Sequence, residues 1–216
     1  MILKNPLLSA SVLVIVLFWL IPIFFYSLFP TSMVTHWDFF GLPNGYSSRN
    51  FALFFMPGLT TLMMILFLFL PKFDPYQANF KHFSVYFYRF MAVICFFLFY
   101  LYLLILIWNL GYLFNFIQLL VPAFSLFFYF VGNLLAHTRP NWFVGIRTPW
   151  TLTDPIVWAK THALGSRLFK LSSLIMLLGM FFPSIALFFV FLPILGVSLF
   201  LLVYSFWIYH NLHGHH

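Results

Sequence analysis

The side chains of this sequence that could do chemistry gather in one polar stretch, residues 132–162, "GNLLAHTRPNWFVGIRTPWTLTDPIVWAKTH". Arg139, Arg147 and Lys160 lie in it and Arg167 just beyond, cations able to hold a phosphate or stabilise a developing negative charge. Asp154, His137 and His162, with Asp74 from an earlier polar segment, are the groups able to act as a base. Such a set would suit hydrolysis or transfer at a phosphate headgroup. The spacing weighs against it. Asp154 and His162 share a helical face but stand two turns apart, about 12 Å along the axis, too far for a base and its orienting partner. No nucleophile motif accompanies them.

Metal chemistry has less to work with. His36-x-Asp38 sits in one polar loop, while His82, His137 and His162 sit in others, and the chain has no glutamate. The single cysteine, Cys95, lies inside an apolar run, so neither a disulfide nor a cysteine-based metal site is available. The tail "HNLHGHH" is terminal and is expected to be mobile, with adventitious metal binding at most. The sequence therefore assigns no catalytic residue, no cofactor and no metal ligand, and a non-enzymatic role is the expectation.

The elements that position these residues follow from composition. Of 216 residues 64% are hydrophobic, 24% aromatic and 6% charged, against about 25% charged in a soluble domain. A water-facing surface cannot be built from this, so the lipid bilayer is the chain's solvent and its first partner. The net charge of +7 sits in short segments between apolar runs, which indicates membrane orientation and no direct nucleic-acid binding. A crossing needs about 20 apolar residues. Residues 7–29 and 51–70 supply one each. The uncharged run 90–136 is long enough for two, broken at "NLGYLFN", which gives spans 89–108 and 116–136. The uncharged run 171–209 must also fold back. Its best turn is "FFPS", residues 181–184, and Pro193 is the competing position.

Six spans follow, and the expected fold is an all-α polytopic bundle. With the N-terminus inside, Lys4, Lys72, Lys81, Arg89, Arg139, Arg147, Lys160, Arg167 and Lys170 are cytoplasmic and only Arg49 is external, so both ends are expected in the cytoplasm. The first span is too long for the core of a cleaved signal peptide and lacks a small-residue cleavage site.

Within the polar stretch, "TLTDP" reads as a helix start with Thr153 as N-cap, Asp154 favouring the positive end of the dipole, and Pro155 in the first turn. That helix runs on into the fifth span and puts Asp154, Trp158 and His162 on one side. Arg147, Thr148, Pro149 and Trp150 belong to an irregular loop before it. Two readings stand for the stretch. Its tryptophans and cations could anchor the protein at the interface. Alternatively, a Gly145-Ile146-Arg147-Thr148-Pro149-Trp150-Thr151 turn feeding a capped helix specifies one backbone shape, as a docking surface requires. In that favoured reading Arg147 is the main charged contact, pairing in bidentate fashion with a carboxylate or phosphate. Trp142 and Trp150 supply rigid aromatic area, and Asn133, Arg139, Asn141 and Gly145 complete the surface. On the other face the loop "FPTSMVTHWDFFGLPNGYSSRN" (29–50) holds a Pro-Asn-Gly turn signal. Its His36, Trp37, Asp38, Asn44, Gly45 and Tyr46 form the candidate external recognition surface; a structured connector is the other reading.

The string "GNLL…RPNWFVGIRTPWTLTD…VWAKTHALGSRLF" resembles the signature of the SdpI family of bacterial membrane proteins. The segment "P…HWDFFGLPNGYSSR" resembles a domain of unknown function that usually precedes it. The resemblance divides the chain into an N-terminal membrane domain, 8–60, with the external loop 30–50, then an SdpI-like domain, 110–185, with the cytoplasmic loop 137–170. A last span and histidine-rich tail, 186–216, complete it. It implies a six-span protein of the bacterial cytoplasmic (inner) membrane that confers immunity to a membrane-active peptide toxin. It also implies a receptor role, in which the toxin is met outside and a transcriptional repressor is held inside. A membrane enzyme, or a lipid-handling or transport protein acting on phosphate headgroups at the same loop, stands as the alternative.

Overall fold

A computed structural model describes residues 6–214. The chain folds as the expected helical bundle. Its elements run α1 (Pro6–Phe25), β1 (Ser32–Trp37), β2 (Pro43–Ser48), α2 (Arg49–Phe73), α3 (Gln77–Asn109), α4 (Phe116–Leu135), α5 (Pro149–Thr153), α6 (Pro155–Leu177) and α7 (Ala186–His213). Among the described residues six helices are long and apolar enough to cross a membrane: every α-helix except α5, with the first, fifth and sixth spans extended by 3-10 turns. The protein is a multi-pass membrane protein. The break at residues 109–115 falls where the sequence puts it, and Asn115 there caps α4 by accepting from the Gln118 N–H. The last fold-back is the pair of 3-10 turns Leu178–Phe181 and Pro183–Ile185, while Pro193 stays inside α7.

Packing divides the bundle into two layers that meet along α3 and α4. The first is α1, α2 and α3, whose core holds Phe18, Leu53, Phe83, Phe87, Met91 and Tyr102. Two polar atoms cross it: the Tyr102 hydroxyl donates to the Leu53 carbonyl at 3.0 Å, and the Cys95 thiol to the Ser11 carbonyl at 3.6 Å. The second layer is α4, α6 and α7. Here the helices approach closely, as lipid-embedded helices do where small residues meet. A Cβ on Gly132 of α4 would lie 2.8 Å from the Ser166 carbonyl of α6, so only glycine fits. The Ser125 hydroxyl of α4 donates to the Ser173 carbonyl of α6 at 2.7 Å.

The two ends of the bundle differ. At one end the α1–α2 connection forms an antiparallel hairpin, a departure from a purely helical loop. Its registered pairs include Ser32 with Ser48, Val34 with Tyr46 and His36 with Gly45. The turn is not at Pro-Asn-Gly, which lies within β2; the chain reverses over residues 38–42 instead. The Asp38 carboxylate stages that reversal by accepting from the Phe40 and Leu42 N–H groups, both at 2.9 Å. An unpaired strand edge would be a liability. The Asn109 side chain covers it, donating to the Val34 carbonyl at 2.9 Å and accepting from the Val34 N–H at 2.8 Å. At the opposite end lie the α2–α3 connection, the 136–154 segment and the end of α7.

Candidate functional site

The 136–154 segment is built around Asn141, a buried side chain that makes four hydrogen bonds to its own loop. Its amide donates to the Arg139 and Val144 carbonyls, both at 2.8 Å, and its oxygen accepts from the Phe143 and Val144 N–H groups at 3.0 and 2.6 Å. The loop is then tied to the α2–α3 connection. Buried Asp74 accepts from the Trp142 N–H at 3.0 Å and from the Tyr76 N–H at 2.8 Å, and the Asn79 amide donates to the Pro140 carbonyl at 2.8 Å.

Gly145 turns the chain with φ +120°, a left-handed conformation that side chains resist. It also lies against His162, whose Nε2 a Cβ would strike. His162 is buried and both its nitrogens are committed. Its Nδ1 lies 2.8 Å from the Trp158 carbonyl and its Nε2 accepts from the Ile146 N–H at 2.9 Å. A carbonyl can only accept and an N–H can only donate, so the ring is the neutral Nδ1–H tautomer. Trp158 stacks on it at 3.9 Å and donates its indole N–H to the Thr138 carbonyl at 3.3 Å.

The next turn is a capping box. The Thr148 hydroxyl accepts from the Thr151 N–H at 3.2 Å, and the Thr151 hydroxyl accepts from the Thr148 N–H at 2.9 Å. Thr148 also shares a hydrogen bond with Ser205 of α7 at 3.0 Å, and Trp150 packs edge-on to Phe206 at 5.1 Å. Pro149 and Trp150 thus open a short helix where an irregular loop was expected.

The cap of α6 is Asp154 itself. Its Oδ1 accepts from the Ile156 N–H at 2.6 Å and the Val157 N–H at 3.2 Å, where Thr153 was the expected cap. Thr153 turns its hydroxyl back to the Pro149 carbonyl. The other Asp154 oxygen lies 2.8 Å from His213 Nε2, so α7 runs as helix into the tail and docks there, where a mobile end was expected. Partial desolvation pushes the Asp154 carboxyl upward, but the His213 contact and the two backbone donors outweigh it and leave the pKa lowered.

Family comparison bears on this segment directly. Residues 137–205 match the SdpI/YfhL protein family, and residues 13–61 match the domain of unknown function 1648. The chain thus carries an SdpI/YfhL-family region at residues 137–205. Its matched region starts at His137, includes the whole framed loop with α5 and α6, and ends at Ser205, the α7 residue bonded to Thr148. The 13–61 match spans most of α1, the hairpin and the first half of α2. No match was found among curated proteins or among solved structures.

Within the SdpI/YfhL region the structure sorts the expected docking residues into two groups. Asn141, Thr148, Trp158 and His162 are buried, and they build the frame. Arg139, Trp142, Arg147 and Pro149 are exposed, with Trp142 at 56%, while Asn133, Gly145, Trp150 and Asp154 are intermediate. The Arg147 guanidinium donates to the Trp142 carbonyl, which holds these two residues together at the rim. Asp154, Trp158 and His162 do follow one side of α6, but the Asp154 carboxylate turns to His213. Sequence reasoning missed Asp74, Asn79, Thr138, Thr151 and Ser205 as frame members. Asp74, Asn79 and Ser205 are more than 50 positions away from their loop partners, so no local pattern marks them.

On the hairpin, Trp37 is buried. It stacks on Phe116 at 3.8 Å and meets Trp108 edge-on at 5.7 Å, so it fastens the hairpin to α3 and α4. Asp38 serves the turn and Gly45 pairs with His36 in the strands. His36, Asn44 and Tyr46 are exposed, and the His36 ring lies 2.5 Å from the Asn44 side-chain oxygen. Phe40 and Leu42 at the turn, which composition did not single out, are each 63% exposed.

Proposed function

We propose that this protein, which carries the SdpI/YfhL-family region, works as an immunity receptor in a bacterial inner membrane. The hairpin meets a membrane-active peptide toxin outside, and the framed loop docks a partner protein, a transcriptional repressor, inside. The observation that carries the reading is the contrast between frame and rim. Buried polar side chains fix one loop shape, and that shape presents Arg147, Arg139 and Trp142 outward without a carboxylate partner among the described residues. A cationic, aromatic rim of this kind suits an acidic protein surface. The inside placement rests on the nine-to-one distribution of lysine and arginine between the two sides. The turn of the hairpin offers Phe40, Leu42 and Tyr46, an apolar surface suited to an amphipathic peptide.

A headgroup enzyme draws less support. Asp74 and Asp154, the carboxylates beside the loop, are both held by backbone N–H groups, and the His162 ring has no free nitrogen to serve as a base.

The test is growth of a toxin-sensitive bacterium expressing the full chain under challenge with a sporulation-delaying-type peptide. Wild type should protect. Phe40→Ser with Tyr46→Ser should abolish protection at unchanged membrane level. Arg147→Ala with Trp142→Ala should retain protection and lose recruitment of the repressor to the membrane. Absence of protection by wild type overturns the immunity reading. Labelling of a Trp142→Cys variant by a membrane-impermeant maleimide from outside intact cells overturns the sidedness, and the repressor docking with it.

A further inference from the structure

We infer that the outer groove between α3 and α4 is a binding site for an anionic phospholipid, with an acyl chain lying in the groove and the phosphate on Arg89. On α3, Tyr86, Arg89, Val93, Phe96 and Tyr100 recur at three- and four-residue intervals and so share one face. On α4, Ala123, Leu126, Phe130 and Asn133 do the same. Between the two faces is an apolar cavity of about 530 Å³, lined by Val93, Phe96 and Tyr100 on one wall and Ala123 and Leu126 on the other. A smaller one of about 40 Å³ lies toward the framed loop, lined by Tyr86, Arg89 and Asn133. The groove thus changes from apolar to polar along its length, as a lipid does.

Depth agrees with that match. From Phe90 to the end of α3 at Asn109 is about 30 Å of helix, the thickness of the hydrocarbon core. Arg89 therefore stands at the core boundary, the level of lipid phosphates. From Arg89 to Tyr100 is about 16 Å, roughly the depth of one leaflet. Charge agrees as well. Among the described residues Arg89 has no carboxylate partner, and its guanidinium lies 5.3 Å from the Tyr86 ring. The chain has three carboxylates, and all are engaged elsewhere: Asp38 in the hairpin turn, Asp74 with Trp142, and Asp154 with His213. The Asn133 side-chain amide has no hydrogen-bond partner among the described residues and lines the same cavity as Arg89, a second donor for a phosphate oxygen. A basic pocket between membrane helices is the setting in which anionic headgroups bind.

The inference does not depend on the immunity reading, and its test is separate. The full chain is reconstituted in vesicles of phosphatidylcholine and phosphatidylglycerol in equal parts, released into detergent, and the lipid carried along is counted by native mass spectrometry. Wild type should retain phosphatidylglycerol about fivefold over phosphatidylcholine, as one interfacial cation implies. Arg89→Gln should bring the ratio to near parity, and Ala123→Trp, which fills the groove, should lower retention of both lipids. Soluble glycerol phosphate should not displace the lipid; displacement would mean a headgroup-only phosphate site and would overturn the acyl-chain role. Parity in wild type, or an unchanged ratio in Arg89→Gln, overturns the site. If Arg89→Gln loses its helical circular dichroism, Arg89→Met reads the same question: a ratio near parity supports the inference, and a ratio equal to wild type overturns it.

Discussion

Exchanging Asn141 for aspartate tests the frame with a change of almost no volume. The asparagine amide nitrogen serves two carbonyls, those of Arg139 and Val144, at 2.8 Å each, in a site that is 1% exposed. Asn141→Asp removes both donors and sets an oxygen against both carbonyls. Each buried polar group left without its partner costs about 1–3 kcal/mol, so the two together cost about 2–6 kcal/mol. The remaining oxygen gains charge toward the Phe143 and Val144 N–H groups, which returns about 1 kcal/mol. A net loss of about 1–5 kcal/mol is expected. An unfolding titration in mixed micelles measures it, with limited proteolysis between residues 136 and 148 reporting where the structure opens. The control is Trp142→Ala, one position on but exposed, which should stay within about 0.5 kcal/mol of wild type. At acid pH the introduced carboxyl takes up a proton, regains one donor and should recover part of the loss. A cost for Asn141→Asp no larger than that of Trp142→Ala would refute the idea that this side chain organises the loop.

Three further outcomes follow from the same geometry. Gly145→Ala combines a left-handed backbone with a collision at His162 Nε2; it should raise proteolytic cleavage at 142–148, whereas Gly58→Ala, with open space around it, should not. Asn109→Leu leaves the Val34 N–H and carbonyl without partners; hydrogen exchange at Val34 should speed up by at least about tenfold, the effect of roughly 1.4 kcal/mol of lost protection. The Asp154 carboxyl is held below its ordinary value in the folded chain, so its contribution to stability is present above about pH 4 and fades as pH falls through the lowered value. An acid titration of wild type should show that loss, and Asp154→Asn should flatten it.

What could be read from the sequence was whatever a single run of residues determines. Two uncharged runs with one polar break and one proline break give the crossings, because a helix must satisfy its own backbone in lipid. Pro193 is tolerated inside α7 while Pro183 lies in the turn. The misreadings share a cause: each judged a residue type without its partner. Pro43, Asn44 and Gly45 look like a turn until the Asp38 carboxylate takes the Phe40 and Leu42 N–H groups and closes the reversal earlier. Thr153 and Asp154 can each cap a helix, and the carboxylate, with two N–H groups in reach, takes the position. The tail looks free until His213 reaches Asp154 across 59 positions.

The fixed order of residues in the polar stretch first suggested a partner, and the structure divides that order into two kinds. Asn141, Gly145, Thr148, Thr151, Trp158 and His162 have internal reasons to stand where they do, since each is bonded or packed against a specified neighbour. A frame explains them without any ligand. Arg139 and Trp142 have no such reason: their side chains are exposed and satisfy nothing inside. Arg147 lies between the two kinds, since one N–H on the Trp142 carbonyl orients the guanidinium of an otherwise exposed residue. An interfacial anchor needs cations and tryptophans but not a buried asparagine, a capping box and a neutral histidine to aim them. In the proposed docking role the frame aims side chains that contribute nothing to the fold, and those are the ones whose loss should alter binding while leaving stability intact.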